Sequence, residues 1–298
     1  MRFVTFMHSS GPRVGLVSGD EIVELHSYDH ALPTDLAALL ALGRDTWTRI
    51  VQRAQAGTAR RVPLAGTRLC APVATPSKVF GIGMNFSSFL SAAQHRGMMA
   101  TPGQRIWFNR QPRCVAGPAD DILMPHTSKA LDFEGELAIV IGSRCRHLSA
   151  AQARDAIAGY TICNDLTVRD WAARCPLLGK SFDTHAPMGP WLVTADEIDD
   201  PHSLTITTTV NGERRQHGST REMLTDCYAL VAELSAITTL EPGDVILTGT
   251  PDGCGALSDP PRFLCEGDCV RVCIEGIGEI ANTVVPELVT QLPEPVDG

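Results

Sequence analysis

The sequence predicts an α+β fold that is mostly β: a large β-roll or barrel-like body over residues 71–298, preceded by a small α+β domain over residues 1–70. Three observations carry this expectation. Short apolar runs bounded by glycine and proline recur from residue 77 onward. Helical spacing of apolar residues is confined to a few segments. The 298 residues, 44% of them hydrophobic, suffice for one large domain, or for one large and one small.

The elements follow in order. Phe3, Val4 and Phe6, then Gly15-Leu-Val17, then Ile22-Val23 alternate around a Gly19-Asp20 turn, which predicts a short β meander. Leu36, Leu39, Leu40, Leu42, Trp47 and Ile50 recur at helical spacing, which predicts a helix or helix pair over 34–56. Pro63, Pro72 and Pro76 close that region. Val79–Gly83 reads as a strand entering a glycine turn, and Leu137–Gly142 as a buried strand. A short helix at 150–158 precedes a strand at 160–164. Strands follow at 191–194, 204–210, 245–250 and 269–274, with an apolar helical stripe at 223–236. The proline-rich tail from Pro286 is expected to be loosely held.

The formal net charge of -9 argues against a nucleic-acid partner, which calls for a basic face. No run approaches the roughly 18 apolar residues that span a bilayer, so no membrane partner is expected. Ten cysteines are scattered without a CxxC pair, the pattern of reduced thiols. Met1–Phe6 leads into no signal-peptide core. These features together predict a cytoplasmic protein. Cys265, Cys269 and Cys273 are split by a Gly267-Asp268 turn and lack the spacing of a zinc site.

The chemical signal is a set of acids. In Asp132-Phe-Glu134-Gly-Glu136, alternation puts Glu134 and Glu136 on one face of a strand. Adjacent carboxylates repel unless a cation neutralises them, and hard oxygen ligands suit magnesium, manganese or calcium. Asp165 ends an apolar strand, and Arg169 and Lys180 stand ready to pair with an anion.

These residues fall in an ordered set of segments: Gly81-Ile-Gly-Met-Asn85, Glu134-Gly-Glu136, Asn164-Asp165 with Arg169-Asp170, Gly179-Lys-Ser-Phe-Asp183 with Gly189-Pro190, Val210-Asn-Gly-Glu213 with Gln216, Gly243-Asp244 with Gly249-Thr-Pro-Asp-Gly253, and Glu275-Gly-Ile-Gly278. Over about residues 77–285 the sequence resembles the fumarylacetoacetate hydrolase (FAH) family. The resemblance implies a β-roll core, a homodimer, and magnesium or manganese held by Glu134, Glu136 and Asp165. It matches Lys180 to an active-site lysine, Thr250 to a substrate-facing threonine and Arg169 to an arginine near the metal. It brings forward Asn85, Phe86, Phe89 and Asp183 as substrate contacts. It implies a small 2-oxo or 1,3-diketo acid as substrate and an enolate as the shared intermediate.

The sequence departs from the family pattern where hydrolases activate water. Phe89 stands at the place of a histidine, Ala92 at that of a glutamate and Phe86 at that of a tyrosine. A glutamine expected three residues after Arg169 is Ala172, and the lysine of a Phe-x-Lys segment is read as lost at Asn109. A general base contributes roughly 10²–10⁴-fold, so ordinary hydrolysis is in question. His95, a few residues further on, is the candidate replacement base. The apolar stretch of Phe86, Phe89, Leu90, Met98, Met99 and Trp107 suggests a bulkier, less charged substrate. Three readings result: isomerisation, decarboxylation or related lyase chemistry through an enolate; carbon–carbon hydrolysis with a relocated base; or a catalytically weak ligand-binding homologue.

Overall fold

A computed structural model describes residues 1–97 and 105–288. Met98, Met99 and the tail beyond Leu288 lie outside the described residues. The main sheet has twelve strands. Its path runs Arg61–Pro63, Glu21–Glu24, Gly11–Ser18 and Arg2–His8, then Ala186–Thr194, Ile157–Asn164, Gly135–Ile141, Val245–Leu247, Val79–Gly83 and Ile106–Arg110. A second sheet of five strands orders Glu213–Ser219, Thr205–Val210, Cys269–Ile274, Gly278–Pro286 and Ile122–Met124. Both paths have free ends. The barrel-like expectation is therefore corrected to an open roll, with no closed barrel among the described residues.

The centre of the roll is where the sequence is most apolar. Every residue of Gly135–Ile141 and of Ile157–Asn164 is buried. Leu137, Ile139 and Ile162 pack with Ile206, Val272 and Ile280 of the second sheet and with Val231 and Leu234 of the helix Cys227–Ile237. Each such side chain stabilises the fold by about 1.5–3 kcal/mol. That helix starts where Asp226 accepts a hydrogen bond from the Ala229 amide at 2.8 Å.

The N-terminal segment is joined to this body by backbone pairing. Phe3 stands opposite Leu192, and Arg2 opposite Val193. The helices Leu36–Leu40 and Arg44–Ala56 cover the resulting face, where Phe3 and Trp47 meet edge to face at 5.5 Å.

Candidate active site

Backbone register gathers the acids. Gly135 pairs with Asn164 and Glu136 with Cys163. Glu134, just before one strand, therefore faces Asp165, just after the other, and the Asp165 amide donates to the Glu134 carbonyl at 2.8 Å. Glu136 lies one alternation further on. Glu134, Glu136 and Asp165 are all buried, and one oxygen from each lies within 4.8 Å of the others.

Cations surround this trio. Lys180 Nζ donates to Glu134 Oε2 at 2.7 Å, to the Asp165 carbonyl at 3.1 Å and to Asp165 Oδ2. Arg169 Nη2 lies 2.6 Å from Glu134 Oε1. Its Nε donates to Asp132 Oδ2 at 2.8 Å, and Asp132 is fixed in turn by the amides of Gly255 at 2.6 Å and Ala256 at 2.9 Å. Arg110 has no exposed side-chain surface. It donates to Asp165 Oδ1 through Nη1, to the His185 carbonyl at 2.6 Å and to Cys114 Sγ at 3.2 Å.

The two glutamates respond differently to this setting. Burial alone raises Glu134, but Lys180 and Arg169 outweigh it and hold its carboxyl below the ordinary value. Glu136 is pushed well above the ordinary range by burial first and by the Asp165 charge second. Its stabilising hydrogen bond is from the Gly249 amide at 2.8 Å. Gly249 has φ +93°, a left-handed conformation that favours glycine. For Lys180, burial lowers the ammonium, and Asp165 and Glu134 more than compensate, so its pKa is raised. A buried carboxylate left short of countercharge beside two others is the setting that a hard divalent cation relieves, and an all-oxygen donor set fits one.

Glu134 and Glu136 open on a cavity of about 150 Å³, with Asp165 buried behind them. Glu134, Glu136, Arg169, Lys180 and Thr250 line it, and Phe89, Phe108 and Ala172 form part of its apolar wall. Thr250 donates to the Gly135 carbonyl at 2.9 Å and accepts from Gln216 Nε2 at 2.8 Å. The expected site residues separate here. Asn85 does not reach the cavity: its amide bonds the backbone of Thr225, as donor at 3.0 Å and acceptor at 2.9 Å, and donates to the Thr248 carbonyl at 2.8 Å. Phe86 is fully buried in the main core. Asp183 is exposed and lines a different groove, with Arg113 and Thr184. His95 ends the helix Ser87–His95, exposed and outside the cavity lining.

Sequence reasoning missed Arg110. Strand alternation contained the signal, because Phe108 and Arg110 share a face of Ile106–Arg110 while Asn109 turns outward and is exposed. The buried cation of the Phe-x-Lys segment is therefore Arg110, and the reading that placed its loss at Asn109 is corrected. Asp132 stood in the acid run and Gln216 in a matched segment, both without an assigned task; they hold Arg169 and Thr250.

Comparison with known proteins follows the same residues. The family model described as fumarylacetoacetate (FAA) hydrolase C-terminal matches residues 78–285, and one described as Rv2993c-like, N-terminal matches residues 1–72. The oxaloacetate tautomerase Fahd2a, mitochondrial, of Rattus norvegicus is 40% identical over 96% of this chain and 92% of its own. A fumarylacetoacetate hydrolase from psychrophilic Exiguobacterium antarcticum superposes with TM-score 0.83 and 34% identity, over 96% of this chain and 100% of its own. A maleylpyruvate hydrolase from Sphingobium sp. SYK-6, solved in complex with manganese (II) ion and pyruvate, gives TM-score 0.81 and 32% identity, over 97% of this chain and 100% of its own.

The cytoplasmic expectation is overturned: relatives from rat, cattle and human are named as mitochondrial. Scattered free thiols report a reducing environment without saying which one. No helix among the described residues is long and apolar enough to cross a membrane. With a family model spanning most of the chain, relatives near 40% identity and solved enzymes of the same fold, the chain is an enzyme of the fumarylacetoacetate hydrolase family.

Proposed function

We propose that the chain is a divalent-metal-dependent isomerase that interconverts the keto and enol forms of a 2-oxo acid in the cavity on Glu134, Glu136 and Asp165. One observation carries this reading. Among the described residues, the titratable side chains lining the cavity are Glu134, Glu136, Arg169 and Lys180, with no histidine to activate water. Phe89 fills the wall where the hydrolytic base is expected. The tautomerase named among the relatives supports the same chemistry.

Magnesium or manganese would be held by Glu134, Glu136 and Asp165, and when bound it supplies Lewis-acid stabilisation of the negative charge developing on the substrate carbonyl oxygen. Arg169 Nη1 is the donor that receives the substrate carboxylate. In the enol-to-keto direction Lys180 Nζ turns one hydrogen from the Asp165 carbonyl, gives that proton to the carbon beside the carbonyl and takes up the proton released from the enol oxygen, which restores the ammonium; the reverse order runs from keto to enol. Thr250, clamped by Gln216 and the Gly135 carbonyl, fixes the loop that keeps the Gly249 amide on Glu136. The apolar wall keeps water from the reacting carbon, so a proton returns there and no carbon–carbon bond is cut. The homodimer implied by the family resemblance belongs to this proposal, and light scattering of the purified chain checks it.

The test strips the protein of metal, restores magnesium or manganese, and follows loss of the enol absorbance of oxaloacetate. Metal-dependent acceleration is expected. Glu136→Gln should abolish it and weaken metal binding about 100-fold or more, since even partners outside the ligand set cost about 10–100-fold. Cleavage of an acylpyruvate into two acids, with no effect on the enol, would make the chain a hydrolase; loss of carbon dioxide as the main reaction would make it a decarboxylase.

A further inference from the structure

We infer that the cavity selects a 2-oxo monocarboxylate with an apolar tail over a 2-oxo dicarboxylate. The inference rests on the isomerase reading of the same site and goes further, to the class of substrate. It follows from a count of charges and a count of donors.

Four carboxylates, Asp132, Glu134, Glu136 and Asp165, are packed with three cations, Arg110, Arg169 and Lys180. That leaves one net negative charge, which a divalent ion turns into one net positive charge. One substrate carboxylate neutralises the site, and a second would be in excess. The donors give the same answer. Lys180 has three N–H groups, and its three hydrogen bonds go to Glu134, the Asp165 side chain and the Asp165 carbonyl. Arg110 is sealed behind Asp165. The Gly249 amide is taken by Glu136, and the Thr250 hydroxyl by the Gly135 carbonyl. Arg169 uses Nε and Nη2 on Asp132, Glu134 and Cys254, leaving Nη1 as the cationic donor with capacity among the described residues.

Among the described residues the remaining wall offers no free side-chain donor for a second charge: the Thr167 hydroxyl is given to the Asp165 carbonyl at 3.3 Å. Met84, Phe89, Ile106, Phe108, Ala172 and Pro176 line it with carbon and sulfur side chains. A carboxylate pressed against them would give up water without receiving a hydrogen bond, whereas an alkyl or aryl group would gain by burial.

The test uses the full-length, manganese-loaded chain and two 2-oxo acids with no hydrogen beside the carbonyl, so that binding is read apart from turnover. By calorimetry, benzoylformate should bind more tightly than ketomalonate by about 10–100-fold, the range that a hydrophobic pocket and a misplaced polar group command. Equal or tighter ketomalonate binding overturns the inference. Ile106→Lys, on an exposed position at the cavity wall, should move the ratio toward ketomalonate by about tenfold; an unchanged ratio in the folded variant also overturns it. Turnover of enol phenylpyruvate and enol oxaloacetate separates the two proposals. Benzoylformate preference without turnover of either enol removes the isomerase reading and leaves this one standing. Turnover that favours oxaloacetate removes this one and leaves the isomerase.

Discussion

Arg110 is the residue on which the acid cluster turns. Its guanidinium has no exposed side-chain surface, and it ties Asp165 to the backbone carbonyls of Leu166 and His185. Removing a buried partner of this kind strands a charge, at a cost of about 3–5 kcal/mol. Arg110→Met should therefore lower the unfolding free energy by that amount in urea titrations. Arg110→Lys keeps the charge and loses the planar fork. It should leave the fold intact and weaken manganese binding about tenfold by calorimetry, the size of effect that misoriented ligands produce. His185 sits behind it with Nδ1 buried and unpartnered among the described residues and Nε2 2.8 Å from the Leu123 carbonyl. Burial depresses its pKa from 6.5 to about 4. The folded state holds the ring neutral while the unfolded state takes up a proton, so stability is fully present above pH 6.5 and is lost as pH falls toward 4. The loss amounts to about 3 kcal/mol. Denaturant curves between pH 7.5 and pH 4.5 should show most of it, and His185→Phe should flatten that part of the profile; an equal slope in the variant would assign the acid sensitivity to other groups.

At the scale of elements, the strands easiest to read were those buried on both faces. Gly135–Ile141 and Ile157–Asn164 carry continuous apolar runs because both sides meet the core. Glu213–Ser219, with the sequence ERRQHGS, carries no such signal; it is an end strand of the five-stranded sheet, held by pairing with Thr205–Val210. Leu131–Asp132 and Thr167–Val168 are two residues each and pair only with one another, too short for any periodicity. The acids were legible because alternation survives at a strand end, whereas the distribution of Asn85, Phe86 and Phe89 depended on how the helix Ser87–His95 sits on the roll. One residue of that triplet, Phe89, lines the cavity. Ala92 packs instead near Cys254 and Leu257. A helix that already presents position 89 to the cavity can be asked to restore what the sequence lacks. Phe89→His with Ala92→Glu should confer cleavage of an acylpyruvate, by up to about 10²–10⁴-fold over the parent, since that is what a positioned general base contributes. The measurement is the release of two acids by mass spectrometry. Unchanged cleavage, in a variant that keeps its metal affinity and its fold, would mean that the missing dyad is not what separates this chain from the hydrolases.

At the scale of the whole molecule, the change of apolar spacing and the prolines at 63, 72 and 76 led to an expected division at residue 70; two family models cover residues 1–72 and 78–285. The sequence pattern could not report how the N-terminal segment is joined to the rest, because backbone pairing between distant segments leaves no local pattern. The join is a shared sheet. Arg2–His8 lies against Ala186–Thr194, a strand that is itself paired with the acid-bearing layer through Ile157–Asn164. One apolar cluster spans the boundary, with Phe3, Leu36, Leu39 and Trp47 on one side and Val140, Ala158 and Leu192 on the other. Removing residues 1–70 would expose those three side chains and leave the backbone groups of Leu192–Thr194 unpaired along an edge, which is a template for association with other chains. The truncated chain 71–298 should therefore sediment as aggregate where the full chain does not, and any fraction that stays dispersed should unfold at lower denaturant. Since Val140 belongs to the same strand as Glu136, loosening this face should also weaken manganese binding. A truncated chain that remains monodisperse and binds manganese as tightly as the parent would show the N-terminal region to be an accessory domain, and the shared strand pairing to be dispensable for the site.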